Sequence, residues 1–337
     1  MRVLLTGAAG TVGHHALEQL IDKNYEVTVI ELINNKNKKA LKNYQDKINL
    51  VWGSITDKEL VEEVVKDQDA VIHLAGIIPP YADEHPELTR QVNYFGTKNI
   101  VEAIKEFNNN CFLMFSSSIS VYGDRVKDYE IKVGDELKAS EGDYYAYVKI
   151  ETEEMIKASD INYTIFRLTA IMDIPKVDPL MFHMPLDTKL EIATARDTAR
   201  AFVNGIEHLD ELNKKIYNLG GGEKCRTTYK DFIKGCFKVY GLNYSRLDET
   251  AFAEKNFHCG YYVDGDKLNN IVDFRRDTLD TYYEYLSNNT SKFRSSMAKL
   301  LSCIIVKQLN NTSEPRMAIR KNIKSLVKKF FHDKETE

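Results

Sequence analysis

The segment RVLLTGAAGTVG, residues 2–13, combines an apolar strand, a glycine turn and the start of a helix. Glycines stand at positions 7, 10 and 13 of this segment. Glycine permits a tight turn and lets a pyrophosphate approach backbone N–H groups at the start of a helix, where the helix dipole favours anions. The segment predicts a dinucleotide-binding turn with Gly7, Gly10, Thr11, Val12 and Gly13 as cofactor contacts. A strand-to-helix turn without a ligand is the alternative interpretation.

Strand-length apolar runs alternate with helix-period segments through the first half of the chain. The predicted strands are 3–6, 27–30, 48–51, 70–74, 112–116 and 163–168, and the predicted helices are 12–21, 58–65, 86–107 and 144–158. This rhythm is typical of βαβ units, whose strands form a parallel sheet with helices on both faces. We therefore expect an α/β fold with a doubly wound, parallel Rossmann-type sheet.

The alternation weakens after Arg167, which suggests a division of the chain. We assign residues 1–170 to a dinucleotide-binding Rossmann domain, to which residues 197–220 return. Residues 171–196 and 221–286 are predicted to form a small C-terminal substrate-binding cap. Residues 287–337 are predicted to form a basic amphipathic helical tail.

Charge is distributed unevenly along the chain. Residues 291–337 contain eleven Lys and Arg against four Asp and Glu, so they carry +7 and residues 1–290 carry −11, for a net charge of −4. Nucleic-acid binding requires clustered Lys and Arg on the binding face. The acidic body therefore argues against nucleic acid as the main partner.

Cysteine and histidine positions give no sign of a metal site or a disulfide framework. The five cysteines are widely spaced without a C-x-x-C pair, and the histidines show no H-x-x-x-H spacing. No basic and apolar leader precedes the first strand, and the longest apolar run of the tail is well short of the ~20 residues that span a bilayer. We expect a cytoplasmic protein with no metal and no transmembrane helix.

Glu31 ends the second predicted strand and bears on the choice of cofactor. An acid at this place accepts hydrogen bonds from the adenosine ribose 2′-OH and repels a 2′-phosphate, so NAD is favoured over NADP. Lys36, Lys38 and Lys39 follow closely and could pair with such a phosphate. For these lysines we favour the alternative interpretation of a solvated loop.

Five further motifs follow the glycine turn in order. They are GSITD at 53–57, HLAG at 73–76, NYFGTKN at 93–99, FSSSISVYG at 115–123 and YAYVK at 145–149. Together with the glycine turn, they resemble the ordered signature of the extended short-chain dehydrogenase/reductase superfamily, the NAD-dependent epimerase/dehydratase family. The resemblance covers roughly residues 1–220 and implies an NAD-dependent enzyme.

The last of these motifs places a tyrosine and a lysine four residues apart on one helix face. Tyrosine is a poor base at neutral pH, but an adjacent ammonium and a positive nicotinamide would stabilise its phenolate. The resemblance implies that Tyr145 takes the proton of a substrate hydroxyl, that Lys149 also holds the nicotinamide ribose, and that Ser118 bonds the reacting oxygen. Tyr145 and Lys149 are thus predicted as both catalytic and cofactor-binding residues. For Ser116 and Ser117 we favour the role of polar strand-end residues.

Other motif positions are expected around the cofactor. The resemblance implies contacts from Ser54, Ile55, Leu74, Ala75 and Gly76. Asn93 in the central helix has two interpretations, as a cofactor-supporting residue or as a polar contact satisfied within the core.

Positions 119 and 120 discriminate among the reactions of the family. Dehydratases of the family place an Asp-Glu pair here to eliminate water, whereas this chain has Ile119 and Ser120. An isoleucine cannot transfer protons, which argues against 4,6-dehydration. Only 29 residues separate Arg167 from Asp197, which leaves little chain for nucleotide-gripping loops and favours a smaller or unusual substrate.

We therefore expect an NAD-dependent oxidoreductase acting on a secondary alcohol or ketone of a sugar or sugar-nucleotide-like substrate. Nucleotide-sugar epimerisation through a 4-keto intermediate uses the same residues and stays open. An alternative of another class is a non-catalytic, NAD-binding regulatory or membrane-associated scaffold.

From Pro315 onward the tail shows the pattern of one amphipathic helix. Its apolar stripe consists of Ile319, Ile323, Leu326, Val327, Phe330 and Phe331. The stripe suits docking on the body, docking on a second subunit of a homodimer, or peripheral contact of residues 315–331 with an anionic membrane. Of these, we favour docking on the body or on a second subunit.

Overall fold

The computed structural model describes residues 1–175, 179–255 and 257–332. Its strands are β1 (Arg2–Thr6), β2 (Glu26–Glu31), β3 (Asn49–Trp52), β4 (Ala70–His73), β5 (Phe112–Ser118), β6 (Glu130–Ile131), β7 (Asn162–Leu168), β8 (Ala170–Met172), β9 (Lys189–Thr194), β10 (Lys215–Leu219), β11 (Arg226–Thr228) and β12 (Tyr261–Tyr262). The main sheet is parallel, in the order β10-β7-β5-β4-β1-β2-β3. The predicted doubly wound Rossmann-type fold is confirmed.

The helices follow the same alternation in the first half of the chain and then dominate the second. They are α1 (Thr11–Asp22), α2 (Asn35–Leu41), α3 (Lys58–Val65), α4 (Tyr81–Glu84), α5 (Pro86–Thr89), α6 (Thr97–Phe107), α7 (Tyr144–Ala158), α8 (Ala195–Gly205), α9 (Leu209–Leu212), α10 (Tyr229–Tyr240), α11 (Asp266–Val272), α12 (Leu279–Asn289), α13 (Lys292–Leu300), α14 (Ser302–Asn311), α15 (Glu314–Arg320) and α16 (Lys324–Phe330). The helix predicted over 86–107 is present as α5 and α6, joined by a wider helical turn at Arg90–Gly96.

Both faces of the main sheet are buried beneath helices. In β1, Val3 and Leu5 belong to one apolar core, with side chains of α1, α8 and α11, whereas Leu4 belongs to the other, with side chains of α3, α6 and α7. A strand buried on both faces needs apolar side chains at every position. This explains why the strands appear in the sequence as continuous apolar runs.

The topology places a crevice at the carboxyl ends of β1 and β4. The chain leaves β1 toward β2 and β3 on one side, and leaves β4 toward β5 and β7 on the other. The last residues of the two strands, Thr6 and His73, are paired in register. Such a reversal of strand order is where open α/β sheets bind their ligands.

A smaller layer covers the carboxyl edge of the sheet. It contains the three-stranded sheet β11-β9-β8 and the helices α10 and α12, which share an apolar core that includes Phe182, Phe232 and Tyr282. The predicted cap segments, 171–196 and 221–286, hold most of these elements. The body also contributes, since β6 pairs with β12.

The tail is not the single helix that its apolar pattern predicts from Pro315, and this expectation is wrong. It is divided into α15 and α16, because Asn322 takes a left-handed φ of +51° and Ile323 N–H donates to the carbonyl of Ala318, which closes α15. Asparagine tolerates that conformation better than most residues. Phe330 and Phe331 are buried against Ala253 of the predicted cap segment, so this part of the stripe docks on the cap of the same chain.

Among the described residues, no helix has both the length and the apolar character that crossing a membrane requires.

Candidate active site

The turn between β1 and α1 and the first turn of the helix carry glycines where the backbone approaches itself too closely for a side chain. Gly7 has a φ of +76°, and the N–H of Gly10 donates to the Gly7 carbonyl oxygen at 3.0 Å. A Cβ on Gly13 would lie 2.0 Å from that same oxygen. The helix begins directly after the turn, at Thr11, so its unpaired N–H groups stand at the crevice.

A cavity of about 480 Å³ extends from this turn to the ends of β2 and β3. It is lined by the predicted cofactor residues Gly7, Gly10, Glu31, Ser54, Ile55, Leu74, Ala75 and Gly76. Glu31 is held in place because its Oε2 accepts the N–H of Ala9 at 3.0 Å and its Oε1 accepts a hydrogen bond from Asn37 Nδ2 at 3.0 Å. Lys36 lies in α2, so the expectation of a loop is wrong; its side chain is exposed and also lines this cavity.

A second cavity, of about 320 Å³, adjoins the first. The two share Gly7, Gly10, Leu74, Gly76 and Ile77. The second cavity also contains Thr11, Val12, Gly13, Ser118, Tyr145 and Lys149. A continuous groove therefore runs from the acid at the end of β2 to the serine, tyrosine and lysine predicted to be catalytic.

Lys149 lies at the floor of this groove and is buried. Its Nζ donates to the carbonyl oxygen of Ser116 at 2.7 Å and lies 4.5 Å from the ring centroid of Phe115 and 5.7 Å from that of Tyr145. Burial lowers the pKa of its ammonium to about 8, against the charge of Glu153, which raises it. The lysine is thus oriented by the backbone of β5 and remains mostly a cation at neutral pH.

Tyr145 is placed by the first turn of α7. Asp143 caps this helix by accepting the N–H of Ala146 at 2.8 Å, and Asp83 accepts the N–H of Tyr145 itself at 3.2 Å. Burial raises the pKa of the Tyr145 phenol, while a hydrogen bond with the Ser118 side chain lowers it. Tyr147 points away and is 52% exposed.

The three serines at the end of β5 have different surroundings. The Ser116 hydroxyl donates to the His73 carbonyl at 2.9 Å, and the Ser117 hydroxyl donates to Glu153 at 2.5 Å. All three serines line the groove, but Ser116 and Ser117 are buried, whereas Ser118 is partly exposed and is the one that also lines the neighbouring cavity. Ser118 is therefore the serine best placed to meet a substrate.

The two residues after Ser118 are not arranged for proton transfer to a substrate. Ile119 is buried in a small apolar cluster with Tyr262. The hydroxyl of Ser120 donates to the Ser118 oxygen at 3.0 Å, and the Ser120 N–H does so at 3.1 Å. These bonds orient the Ser118 hydroxyl.

Asn93 lies behind the groove and not in its lining, which agrees with the second of its two interpretations. Its Oδ1 accepts the N–H of Ile77 at 2.7 Å, and its Nδ2 donates to the carbonyl of Ile77 at 2.8 Å. The side chain is buried and engaged on both ends. Asn93 thus holds the loop that forms the groove wall.

A buried chain of hydrogen bonds that sequence reasoning missed joins the strand ends to α6. Thr6 Oγ1 lies 2.7 Å from His73 Nδ1, and His73 Nε2 lies 2.9 Å from Thr97 Oγ1. Thr6 Oγ1 also accepts the N–H of Ala75 at 3.1 Å. Burial, together with the charge of Lys149, lowers the pKa of His73 to about 3, so its ring is neutral. The signal that could have revealed it was a polar residue at the end of each of two adjacent strands.

A third cavity, of about 390 Å³, lies on the cap side of Tyr145. It shares Ser118, Tyr145, Ile78 and Ile171 with the second cavity. The rest of its lining comes from separate segments and includes Asp83, Asp143, His183, His258, Lys329 and Phe330. Sequence reasoning assigned none of these six to the site, although the polar residue before the helix of Tyr145 was a recognisable capping signal for Asp143.

Comparisons with known proteins identify relatives of this chain. The chain is 29% identical over 164 residues to dTDP-glucose 4,6-dehydratase of Mycobacterium tuberculosis, covering 47% of this chain and 48% of that protein. It is 27% identical over 135 residues to D-erythronate dehydrogenase of Haemophilus influenzae, covering 38% and 41%. The chain thus spans about half the length, or less, of these curated relatives.

Solved structures share the fold at lower identity. UDP-glucose 4-epimerase from Bifidobacterium longum, crystallised with NAD+ and UDP, superposes with a TM-score of 0.69 at 20% identity, covering 86% of this chain and 97% of that one. The family model of the NAD-dependent epimerase/dehydratase family matches residues 3–172. As the ordered motifs predicted, the chain therefore belongs to the NAD-dependent epimerase/dehydratase family, enzymes of the extended short-chain dehydrogenase/reductase type.

Proposed function

We propose that this chain is an NAD-dependent oxidoreductase acting on a secondary alcohol or ketone of a sugar or sugar-nucleotide-like substrate, with Ser118, Tyr145 and Lys149 at its centre. The observation that carries the proposal is that Ser118 and Tyr145 line two adjoining cavities. One of these continues to the glycine turn, and the other opens beneath the cap. A substrate hydroxyl in the cavity beneath the cap would meet Tyr145 beside a cofactor in the cavity that continues to the glycine turn.

The residues of the groove fit a dinucleotide. The cradle at Gly13 has no space for a side chain, and the N–H groups at the start of α1 are available for a pyrophosphate. Glu31 would bind the adenosine ribose, and Lys149 would bind the nicotinamide ribose. Bound NAD supplies the hydride acceptor of the reaction.

The residues of the chain itself would handle the proton. Ser118 would donate or accept a hydrogen bond at the reacting oxygen. Tyr145 would take the proton of the substrate hydroxyl as hydride leaves the carbon that carries this hydroxyl. Burial raises the pKa of the Tyr145 phenol in the cofactor-free protein. A positive charge bound in the groove beside Lys149 would oppose this shift, so we expect the base strength of Tyr145 to increase when the cofactor binds.

The site also favours redox chemistry without dehydration. Elimination of water needs an acid and a base beside the reacting sugar, but Ile119 is buried among apolar side chains and the Ser120 hydroxyl is bonded to Ser118. Net oxidation and epimerisation remain as the two reactions that this centre could carry out. Epimerisation would return the hydride to the substrate and leave no net NADH.

Replacing Tyr145 with Phe tests the proposed centre. We expect kcat to fall roughly a thousandfold, because the proton acceptor is lost, while the affinity for NAD changes little. Turnover would be followed by NADH absorbance and by product analysis, and NAD binding by calorimetry. Tyr147→Phe, on the exposed face of the same helix, is the matched control. Unchanged turnover in Tyr145→Phe would contradict the assignment.

The substrate class can be narrowed before any kinetic assay. Ligands that bind the folded state raise its melting temperature by mass action. Nucleotide sugars, free sugars and hydroxy acids should therefore be screened for thermal stabilisation in the presence of NAD. Conversion of a nucleotide sugar without accumulation of NADH would show that the enzyme is an epimerase and not a net oxidoreductase.

A further inference from the structure

The carboxyl end of α16 reaches the cavity that contains Ser118 and Tyr145. Lys329 and Phe330 form part of its lining, although they lie far beyond the motif-bearing part of the sequence. The basic tail therefore borders the place where a substrate would bind.

The tail is anchored on the cap by apolar and polar contacts. Phe330 is 2% exposed, and its ring centroid lies 4.6 Å from that of His183. The carbonyl of Phe330 accepts the N–H of Glu254 at 2.7 Å. Earlier in the tail, Arg316 pairs with Asp248 at 3.3 Å. These contacts seat α16 at one position on the cap.

Most charged groups around this cavity already have partners within the protein. Asp143 accepts the N–H of Ala146 and Asp83 that of Tyr145, so both carboxylates serve the start of α7. Three other ionisable side chains of the lining, His258, His183 and Glu141, each lie within 4.0 Å of a side chain that can carry the opposite charge. The pairs are His258–Asp143 at 3.5 Å, His183–Glu314 at 2.7 Å and Glu141–Lys328 at 3.6 Å.

Lys329 differs from these groups. Within residues 1–175, 179–255 and 257–332, no hydrogen bond or ion pair within 4.0 Å engages its ammonium, which lies 5.3 Å from the ring centroid of Phe330. The side chain is partly buried. Its charge interacts at longer range with the carboxylates of Asp83 and Glu314, but it makes no hydrogen bond to either of them. A cation at the wall of a cavity whose N–H donors are not engaged is suited to a charge-assisted hydrogen bond with an anionic ligand.

We propose that Lys329 is a specificity-determining residue that binds an anionic group of the substrate, a carboxylate or a phosphate, while the reacting hydroxyl lies at Ser118 and Tyr145. The inference rests on the proposed function and deepens it, because it assigns a charge to the substrate. The tail is then a part of the substrate site and not only a surface appendage. Its docking on the cap determines where the ammonium stands.

Binding measurements on the full chain test this assignment. Lys329→Met and Lys329→Arg would be compared with Lys324→Met, which changes an exposed lysine of the same helix. With NAD present, the probes are UDP-glucose for a phosphate source, D-glucuronate for a carboxylate source, and D-glucose as the neutral reference. Calorimetry gives the dissociation constants without any need for turnover.

We expect Lys329→Met to weaken the binding of one anionic probe about tenfold, because a charge-assisted hydrogen bond is lost. Lys329→Arg should retain most of the affinity, and Lys324→Met, D-glucose and NAD should show no change. A selective loss for UDP-glucose identifies phosphate as the ligand group, and a selective loss for D-glucuronate identifies carboxylate. Where a probe is also turned over, KM should rise with little change in kcat.

Two results would overturn the assignment. One is equal affinity of the wild type and Lys329→Met for both anionic probes, and the other is failure of the wild type to bind either of them. Failure of the proposed function is distinguishable from failure of this assignment. Retained turnover in Tyr145→Phe would contradict the catalytic centre, whereas the dissociation constants of the probes could still be measured.

Discussion

The two ends of the groove are constructed in different ways. At the cofactor end, one short segment from Gly7 to Gly13 shapes the site through its backbone, and a single side chain on Gly13 would collide with it. At the substrate end, the cavity is lined by side chains from widely separated segments, including Lys329 of the tail. A site built from the backbone of one segment is therefore recognisable from local spacing, whereas a site assembled from side chains depends on long-range packing.

The largest expected effect would come from Gly13→Ala, which attacks the backbone-built end. The new Cβ would lie 2.0 Å from the Gly7 carbonyl, whereas one on Gly10 would lie 3.1 Å from it. We expect Gly13→Ala to weaken NAD binding roughly a thousandfold, about 4 kcal/mol, because the turn must distort. Calorimetry with NAD measures this. Gly10→Ala, as the matched control, should lose much less, and equal losses in the two variants would show that the cradle is not sterically limited.

The second effect concerns the buried network beside the side chains that we propose to be catalytic. Glu153 accepts hydrogen bonds from Ser117 at 2.5 Å and from Arg167 at 2.6 Å, and all three are buried. Breaking a buried ion pair by neutralising one partner leaves the other charge uncompensated.

We therefore expect Glu153→Gln to lower the free energy of unfolding by about 3 kcal/mol. Denaturant titration of the cofactor-free protein measures it. Glu154→Gln, which removes a neighbouring acid paired with Lys157 at the surface, should change stability by less than about 1 kcal/mol. A Glu153→Gln protein as stable as the wild type would mean that the network contributes little.

The smallest effect is a pH dependence caused by Lys149. Burial lowers the pKa of its ammonium to about 8 in the folded protein, from 10.5. Between these two values the unfolded chain binds more protons than the folded one, so the contribution of this group to stability rises with pH. Its unfavourable contribution is fully present below pH 8.

We expect the stability of the wild type relative to Lys149→Met to increase by about 1 to 2 kcal/mol between pH 8 and pH 10. Unfolding curves of the cofactor-free proteins at several pH values provide the measurement. Lys157→Met, on the exposed side of the same helix, should show no such trend. A difference between the wild type and Lys149→Met that stays constant with pH would show that the buried lysine keeps its ordinary pKa.

The central elements of the fold and much of the candidate site could be predicted from local patterns. The apolar runs marked the strands because both faces of the sheet are buried, and Ser118, Tyr145 and Lys149 come together because their strand and helix pack side by side. The role of Asn93 depended on which atoms surround it, so spacing alone left two interpretations open.

The tail shows where local pattern fails. Its apolar period predicted one helix, but a helical period does not register that one residue, Asn322, can adopt a left-handed conformation and turn the chain. Nor does it indicate which surface will bury Phe330 and Phe331.

Local spacing along the chain was sufficient to predict the parallel sheet, and to select the glycine turn and the serine, tyrosine and lysine that line the groove. These features depend on periodicity, on the freedom of glycine and on residues a few positions apart. The proposed substrate cavity depends on the tertiary structure, since packing of the cap and the docking of Phe330 bring Lys329 to the same cavity as Tyr145. Contacts between residues so distant in sequence arise from complementary surfaces, which no local pattern encodes.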